Sequence, residues 1–198
     1  MTETSARPSG RAQATRAALL DAAREVFTAC GFSDANISDV VARAGASVGS
    51  LYHHFGGKAD LYLALYEDYQ ARQEDRASAA VRQARVAGET DPVRLFIAGA
   101  RAFFHGCWEE RDLARLFLAG GGPPGFELVA RRRYREWVSS NAALLKPRER
   151  PLGEALVLVL TTVAAQAGHE VAMQESQEAA YELAEALLEL IHRIGVPD

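Results

Sequence analysis

Three observations predict an all-α fold for this chain of 198 residues. Alanine, the residue with the smallest helix penalty, fills 37 positions. Apolar residues recur at three- and four-residue steps from about residue 11 to the end. No stretch shows strand-like alternation bounded by turn residues. With 48% hydrophobic and 24% charged residues, the composition is that of an ordinary globular chain rather than a disordered one. The length allows one large domain or two small ones, with a core that needs no disulfides.

The elements follow in order. Residues 1–9 read as a disordered, slightly basic arm. An amphipathic helix is expected at about 11–30, where Leu19, Leu20, Ala23, Val26, Phe27 and Cys30 share a face and Gly31 stands where a helix ends. Two short helices follow, one with Ile37, Val40, Val41 and Ala44, the other with Val48, Leu51 and Phe55. Gly45 and Ala46 separate them, which is the helix-turn-helix pattern. Gly56 and Gly57 close that unit, and a long helix runs from Lys58 to about Arg85. After a linker at 88–92, helices are expected at about 92–109, 111–119, 125–145, 151–174 and 176–194, with breaks at 120–124 and at Lys146-Pro147. The organisation is therefore about nine helices in three segments: an arm (1–9), a helix-turn-helix unit (10–57) and a larger helical body (58–198).

Charge is unevenly spread. The formal net charge of −4 and pI near 5.8 argue against a protein that coats nucleic acid non-specifically. Residues 1–60, however, hold six basic and six acidic residues, while 61–198 hold 16 and 20, so the whole excess of acid belongs to the body. Cys30 and Cys107 have no CxxC spacing and read as reduced, buried thiols. The first eighteen residues lack the apolar stretch of a signal peptide. The longest apolar run, 155–165, interrupted only by Thr161 and Thr162, is too short to span a bilayer, which needs about 20 residues. A cytoplasmic protein with no membrane partner is expected.

The chemistry concentrates at residues 47–58. Ser47 is a good N-cap, leaving the N-terminus of the following helix to face an anion such as a phosphate. Leu51 and Phe55 point into a small core. Small residues Gly49 and Ser50 let the backbone approach base edges, and Val48 offers apolar contact to a thymine methyl. Tyr52 and His53 are long enough for phosphate oxygens, Lys58 adds a cation, and His54 reads as a partly buried packing residue. Neither histidine has a Cys or carboxylate at zinc-ligand spacing, so no metal and no cofactor is expected.

Ala22-Ala23, Phe27, Gly31-Phe32, Ile37, Asp39-Val40, the run from Ala44 to Phe55, Lys58 and Leu61 together closely resemble the N-terminal DNA-binding domain of the tetracycline-repressor (TetR/AcrR) family of bacterial transcription regulators. The resemblance covers about residues 16–65. It implies that the third helix enters the major groove and assigns DNA contact to Ser47, Val48, Ser50, Tyr52, His53 and Lys58. It also places Asn36 and Ser38 at phosphate-capping positions. Asn36-Ile37 departs from the family's usual Thr with Thr or Ser, and Ala46 replaces a common Val.

The same resemblance implies a C-terminal domain that dimerises and encloses a pocket for an unknown small-molecule effector. Two apolar faces are the dimer candidates: Leu156, Val159, Leu160, Val163 and Ala167 on one helix, and Leu183, Leu187, Leu190 and Ile194 on the other. Such pairs make a four-helix bundle across a two-fold axis. Aromatic pocket candidates are Phe103, Phe104, Trp108, Phe117, Phe126, Tyr134 and Trp137. Polar ones are Cys107, Asn141, Thr162, Gln166 and His169, with His169-Glu170 as a possible anchor. Arg131, Arg132, Arg133 and Arg135 form a basic run that one helix cannot bury, most simply a solvated face. No GxGxxG, GxxxxGK[ST] or HExxH pattern occurs, and Cys107 has no base at a spacing that asks for nucleophilic catalysis, so the chain is not expected to be an enzyme built on a helical bundle. The expected function is a homodimeric repressor released from a pseudo-palindromic double-stranded DNA operator by an effector, the alternative being an activator or effector-independent regulator of the same fold.

Overall fold

The computed structural model describes residues 10–118, 120–146 and 151–195. The expected basic arm at 1–9 lies outside the described residues. Among the described residues there are nine helices and no strand: α1 (Gly10–Asp34), α2 (Ile37–Ala44), α3 (Val48–Phe55), α4 (Lys58–Val86), α5 (Pro92–Glu109), α6 (Arg111–Leu118), α7 (Phe126–Leu145), α8 (Leu152–Met173) and α9 (Gln177–Gly195). The chain divides into two compact units. One runs through Asp68 and includes Gly120–Pro123, and the other holds the remainder. The first turns of α4 thus belong to the first unit, together with Gly120–Pro123.

In the first unit, α1 packs on α2 and α3 through Leu19, Ala23, Val26 and Phe27, which meet Val40, Leu51 and Leu61 in a closed apolar core. Phe27, Phe32 and Tyr62 interlock there, with Phe27 and Phe32 each edge-on to Tyr62 at 5.3 Å between ring centroids. Gly31 takes φ 75°, a conformation open to glycine but strained for other residues, and the kink it makes turns the chain toward α2. Cys30, just before that kink, is exposed rather than buried, because the chain turns away before a further helical turn can cover it.

In the second unit α5 lies behind a layer of three helices, contacting α7, α8 and α9, while α8 touches α7 on one side and α9 on the other. Phe96, Phe104, Leu160, Ala164, Val171, Leu188 and Ile191 fill the space between. Small residues set the α5–α8 approach: a Cβ at Gly168 would collide with the Phe103 ring and stand 3.0 Å from Cys107 Sγ. By length and composition α8 is long and apolar enough to cross a membrane, which the eleven-residue run in the sequence did not suggest. Its inward face, including Val157, Leu160, Ala164 and Val171, forms part of this core.

Candidate functional site

The helix-turn-helix is built by three local devices. Gly45 ends α2 in the left-handed region at φ 60°, with its N–H and that of Ala46 returning to the carbonyls of Ala42 and Val41. Ser47 then caps α3, its Oγ accepting the Ser50 N–H at 3.1 Å. Gly56 stops α3 at φ 70°. Leu51 and Phe55 are buried, which fixes the roll of α3 and turns the opposite face outward.

That face carries Val48, Gly49, Tyr52 and His53, all exposed, Tyr52 by 52%. Ser47 sits exposed at the head of the helix, Ser50 is half-buried, and His54 is half-buried as expected, its ring 5.3 Å from that of His53. A Cβ added at Gly49 would meet nothing closer than Ser47 Oγ at 3.9 Å. Packing among the described residues therefore does not require a glycine there.

Asn36 occupies the N-cap of α2 without a side-chain capping hydrogen bond, and it and Ser38, the phosphate-capping candidates, are exposed. Lys58 does not offer a free cation. Its ammonium donates to the carbonyls of Phe32 at 2.8 Å, Ser33 at 3.1 Å and Ala35 at 2.9 Å, and lies 4.6 Å over the Phe32 ring. Three backbone oxygens left open where the chain leaves α1 take up this charge. Arg16 brings a guanidinium to α3, 5.1 Å over the Phe55 ring.

With this geometry in place, the family model for bacterial regulatory proteins of the tetR family matches residues 19–65, the span from α1 into the first turns of α4. Residues 19–65 are thus similar to the N-terminal region of tetR-family regulators. Among curated relatives it is 41% identical over 59 residues to the HTH-type transcriptional regulator SrpR of Pseudomonas putida, covering 30% of this chain and 28% of that protein. It is 39% identical over 89 residues to the HTH-type transcriptional activator FasR of Mycolicibacterium smegmatis, covering 45% and 38%. The matched stretch thus spans well under half of either relative. Over the whole fold, a TetR-family regulator from Pectobacterium atrosepticum superposes with TM-score 0.68 at 27% identity, covering 97% of this chain and 99% of that one. FadR of Bacillus subtilis, solved in complex with stearoyl-CoA, superposes with TM-score 0.74 at 15% identity, covering 91% and 99%, and so shares the fold. These relatives and neighbours are transcriptional regulators, not enzymes.

The pocket candidates lie along α5, α6, α7 and α8. Phe104, Cys107, Trp108, Phe117 and Phe126 are buried core residues. Phe103 packs on Trp137 at 5.1 Å, and Phe117 on Phe126 at 6.2 Å. Asn141 donates to Thr161 Oγ1 at 3.1 Å in the α7–α8 seam. Thr162 and Gln166 face outward instead, Thr162 bonded to the Tyr134 hydroxyl at 2.6 Å and Gln166 donating to Glu170 at 3.0 Å, which draws Glu170 away from an anchor with His169. His169 keeps the candidate role best, since its Nδ1 is buried with no hydrogen-bond partner among the described residues. None of the twelve lines the groove of about 310 Å³ between α5 and α9, which is bordered by Arg101, Glu185 and His192.

The dimer candidates divide. Leu160 and Ala167 are corrected to intrachain core, because both are buried in the cluster that α5, α7, α8 and α9 share. Leu156, Val163, Leu183 and Leu187 are half-buried, and Val159, Leu190 and Ile194 are exposed. Leu152, more than two-thirds exposed, extends the open face of α8 and was not among the candidates. A buried carboxylate was missed altogether. Glu110, at the α5–α6 corner, accepts from Arg72 Nε at 2.9 Å, Arg76 Nη1 at 2.6 Å and Gln73 Nε2 at 2.9 Å, all on α4. Nothing in sequence spacing signals a contact between residues more than 30 apart.

Proposed function

We propose that the chain is a cytoplasmic homodimeric repressor whose α3 reads a pseudo-palindromic operator and which a small-molecule effector releases. The observation that carries the reading is the outward face of α3. Val48, Gly49, Tyr52 and His53 are all exposed, and the Ser47-capped N-terminus beside them suits a phosphate. Tyr52 and His53 act on the backbone, Val48 and Ser50 on base edges, and Asn36 and Ser38 on a neighbouring phosphate. Two such helices on a two-fold axis meet major grooves about 34 to 36 Å apart.

Dimerisation is supported by the apolar stripe of Leu152, Val159, Leu190 and Ile194 left open on α8 and α9, the kind of face that a four-helix bundle covers. Effector control is supported by the aromatic interior of the body and the unpaired His169 Nδ1. FadR, with the same fold, is a complex with stearoyl-CoA. The relative FasR is named an activator, so activation from the same contacts is the second reading.

The test is selection of binding sites from random duplex DNA, followed by anisotropy titrations. An inverted repeat should emerge. Tyr52→Ala should weaken binding by about 1 to 3 kcal/mol on all sites, while Val48 or Ser50 substitutions should change the preferred bases. Recovery of no inverted repeat, or a Tyr52→Ala variant that binds unaltered, contradicts the reading.

A further inference from the structure

The basic run on α7 has a direction. Trp137 packs inward on Phe103 of α5, and Tyr134 reaches sideways to Thr162 of α8. Continuing in the same sense around the helix, at 100° per residue, Arg131 and Arg135 come about 60° and 100° beyond Tyr134. That is the side facing away from α5, shared with the open stripe of α8. Arg132 and Arg133 are engaged by Glu136 at 3.8 and 3.1 Å. Arg131 and Arg135 are exposed and have no ion pair among the described residues, and the Arg135 Nε donates to the Arg131 carbonyl at 3.4 Å.

A matching acidic row lies on α9. Glu182 falls about 80° around the helix from Leu190, on the edge turned away from α8, with Glu178 one turn before it. Along that edge Glu185 is held by Arg101 at 2.7 Å and Glu189 by Arg193 at 2.9 Å. Glu178 and Glu182 are exposed and have no ion pair among the described residues.

We propose that Arg131 and Arg135 of one protomer pair with the acidic edge of α9 in a second copy of this chain, Arg131 meeting the partner's Glu182, as a charged rim flanking the apolar dimer face. The inference rests on the dimer reading above and fixes its geometry. In the layer α7–α8–α9, a two-fold axis parallel to the helices sets α8 over the partner's α9 and brings α7 against the outer edge of that helix. An axis across the helices sets α7 over α7 and opposes arginine to arginine. Heights agree with the first arrangement. At 1.5 Å per residue, counted through the α7–α8 contacts and the short α8–α9 connection, Arg131 and Glu182 lie within about one helical turn of each other. An axis along the helices preserves that height. Because the interface is isologous, the rim forms twice, and it acts chiefly to select this arrangement over like-charged alternatives.

The experiment is sedimentation equilibrium of the full chain at low and high salt, for wild type, Arg131→Glu with Arg135→Glu, Glu182→Arg, and all three together. Each reversal alone should raise the dimer dissociation constant about tenfold at low salt and less at high salt, and the combination should return to within about threefold of wild type. Additive weakening in the combination, or no effect of either reversal, overturns the rim while leaving an apolar dimer in place. A monomeric wild type overturns the dimer reading itself. An unchanged dimer with weakened binding of duplex DNA by the arginine variant assigns the run to DNA and overturns the proposal.

Discussion

Replacing Glu110 with Gln tests the polar centre of the body most directly. The carboxylate side chain is 8% exposed, while the two guanidinium-bearing side chains that hold it, Arg72 and Arg76, are 35% and 33% exposed. The amide keeps the shape and one acceptor oxygen but removes the charge that both arginines and Gln73 Nε2 address. Breaking a fully buried ion pair costs about 3 to 5 kcal/mol. Since the arginines can recover part of their hydration, about 2 to 4 kcal/mol is expected here. For a chain of this length each kcal/mol moves the melting midpoint by about 2 to 4 °C, so the midpoint should fall by about 5 to 15 °C in a circular-dichroism melt. Glu109→Gln is the internal control, because that carboxylate is 55% exposed and stands 3.4 Å from Arg76, where loss should stay below about 0.5 kcal/mol. Equal melting midpoints for the two variants would refute the idea that burial, not mere ion pairing, gives Glu110 its weight.

Three further outcomes are expected. Burial pushes the Cys107 thiol up to about 12, so it stays protonated well above neutral pH, whereas Cys30 is exposed. At pH 8 an aromatic disulfide reagent should titrate one thiol per folded chain and a second only after unfolding, and two fast thiols would contradict the burial. Lys58→Met should destabilise the first unit by about 1 to 3 kcal/mol in urea, since it strips three carbonyls of a charged donor. The salt slope of operator binding should stay unchanged, and a slope smaller by about one would return Lys58 to phosphate contact. Gly168→Ala should cost about 1 to 3 kcal/mol by forcing Phe103 and Cys107 apart, and an unaltered urea midpoint would mean that the α5–α8 contact has slack.

Much of this architecture is legible in the sequence because its punctuation is local. Gly31, Gly45 and Gly56 change the chain's direction where their positive φ permits it, and the Ser47 cap is a three-residue event. What escapes is whatever depends on which body an apolar or charged group meets. Leu160 and Val159 are adjacent and equally apolar, yet one is buried while the other is exposed, and periodicity cannot tell an intrachain neighbour from a second copy. Lys58 carries its charge visibly, but only the fold reveals that backbone oxygens take it up. Glu110 and its α4 partners are separated by 34 to 38 residues, beyond any helical repeat.

The outward face of α3 also bears on how this chain can change. Its stability enters through Leu51, Phe55 and the two caps, while Val48, Gly49, Tyr52 and His53 point away from all of them. Exchanges at such exposed positions usually cost within about 0.5 kcal/mol. A lineage, or a protein engineer, can therefore vary the surface that α3 presents at these four positions without first accumulating compensating substitutions in the core.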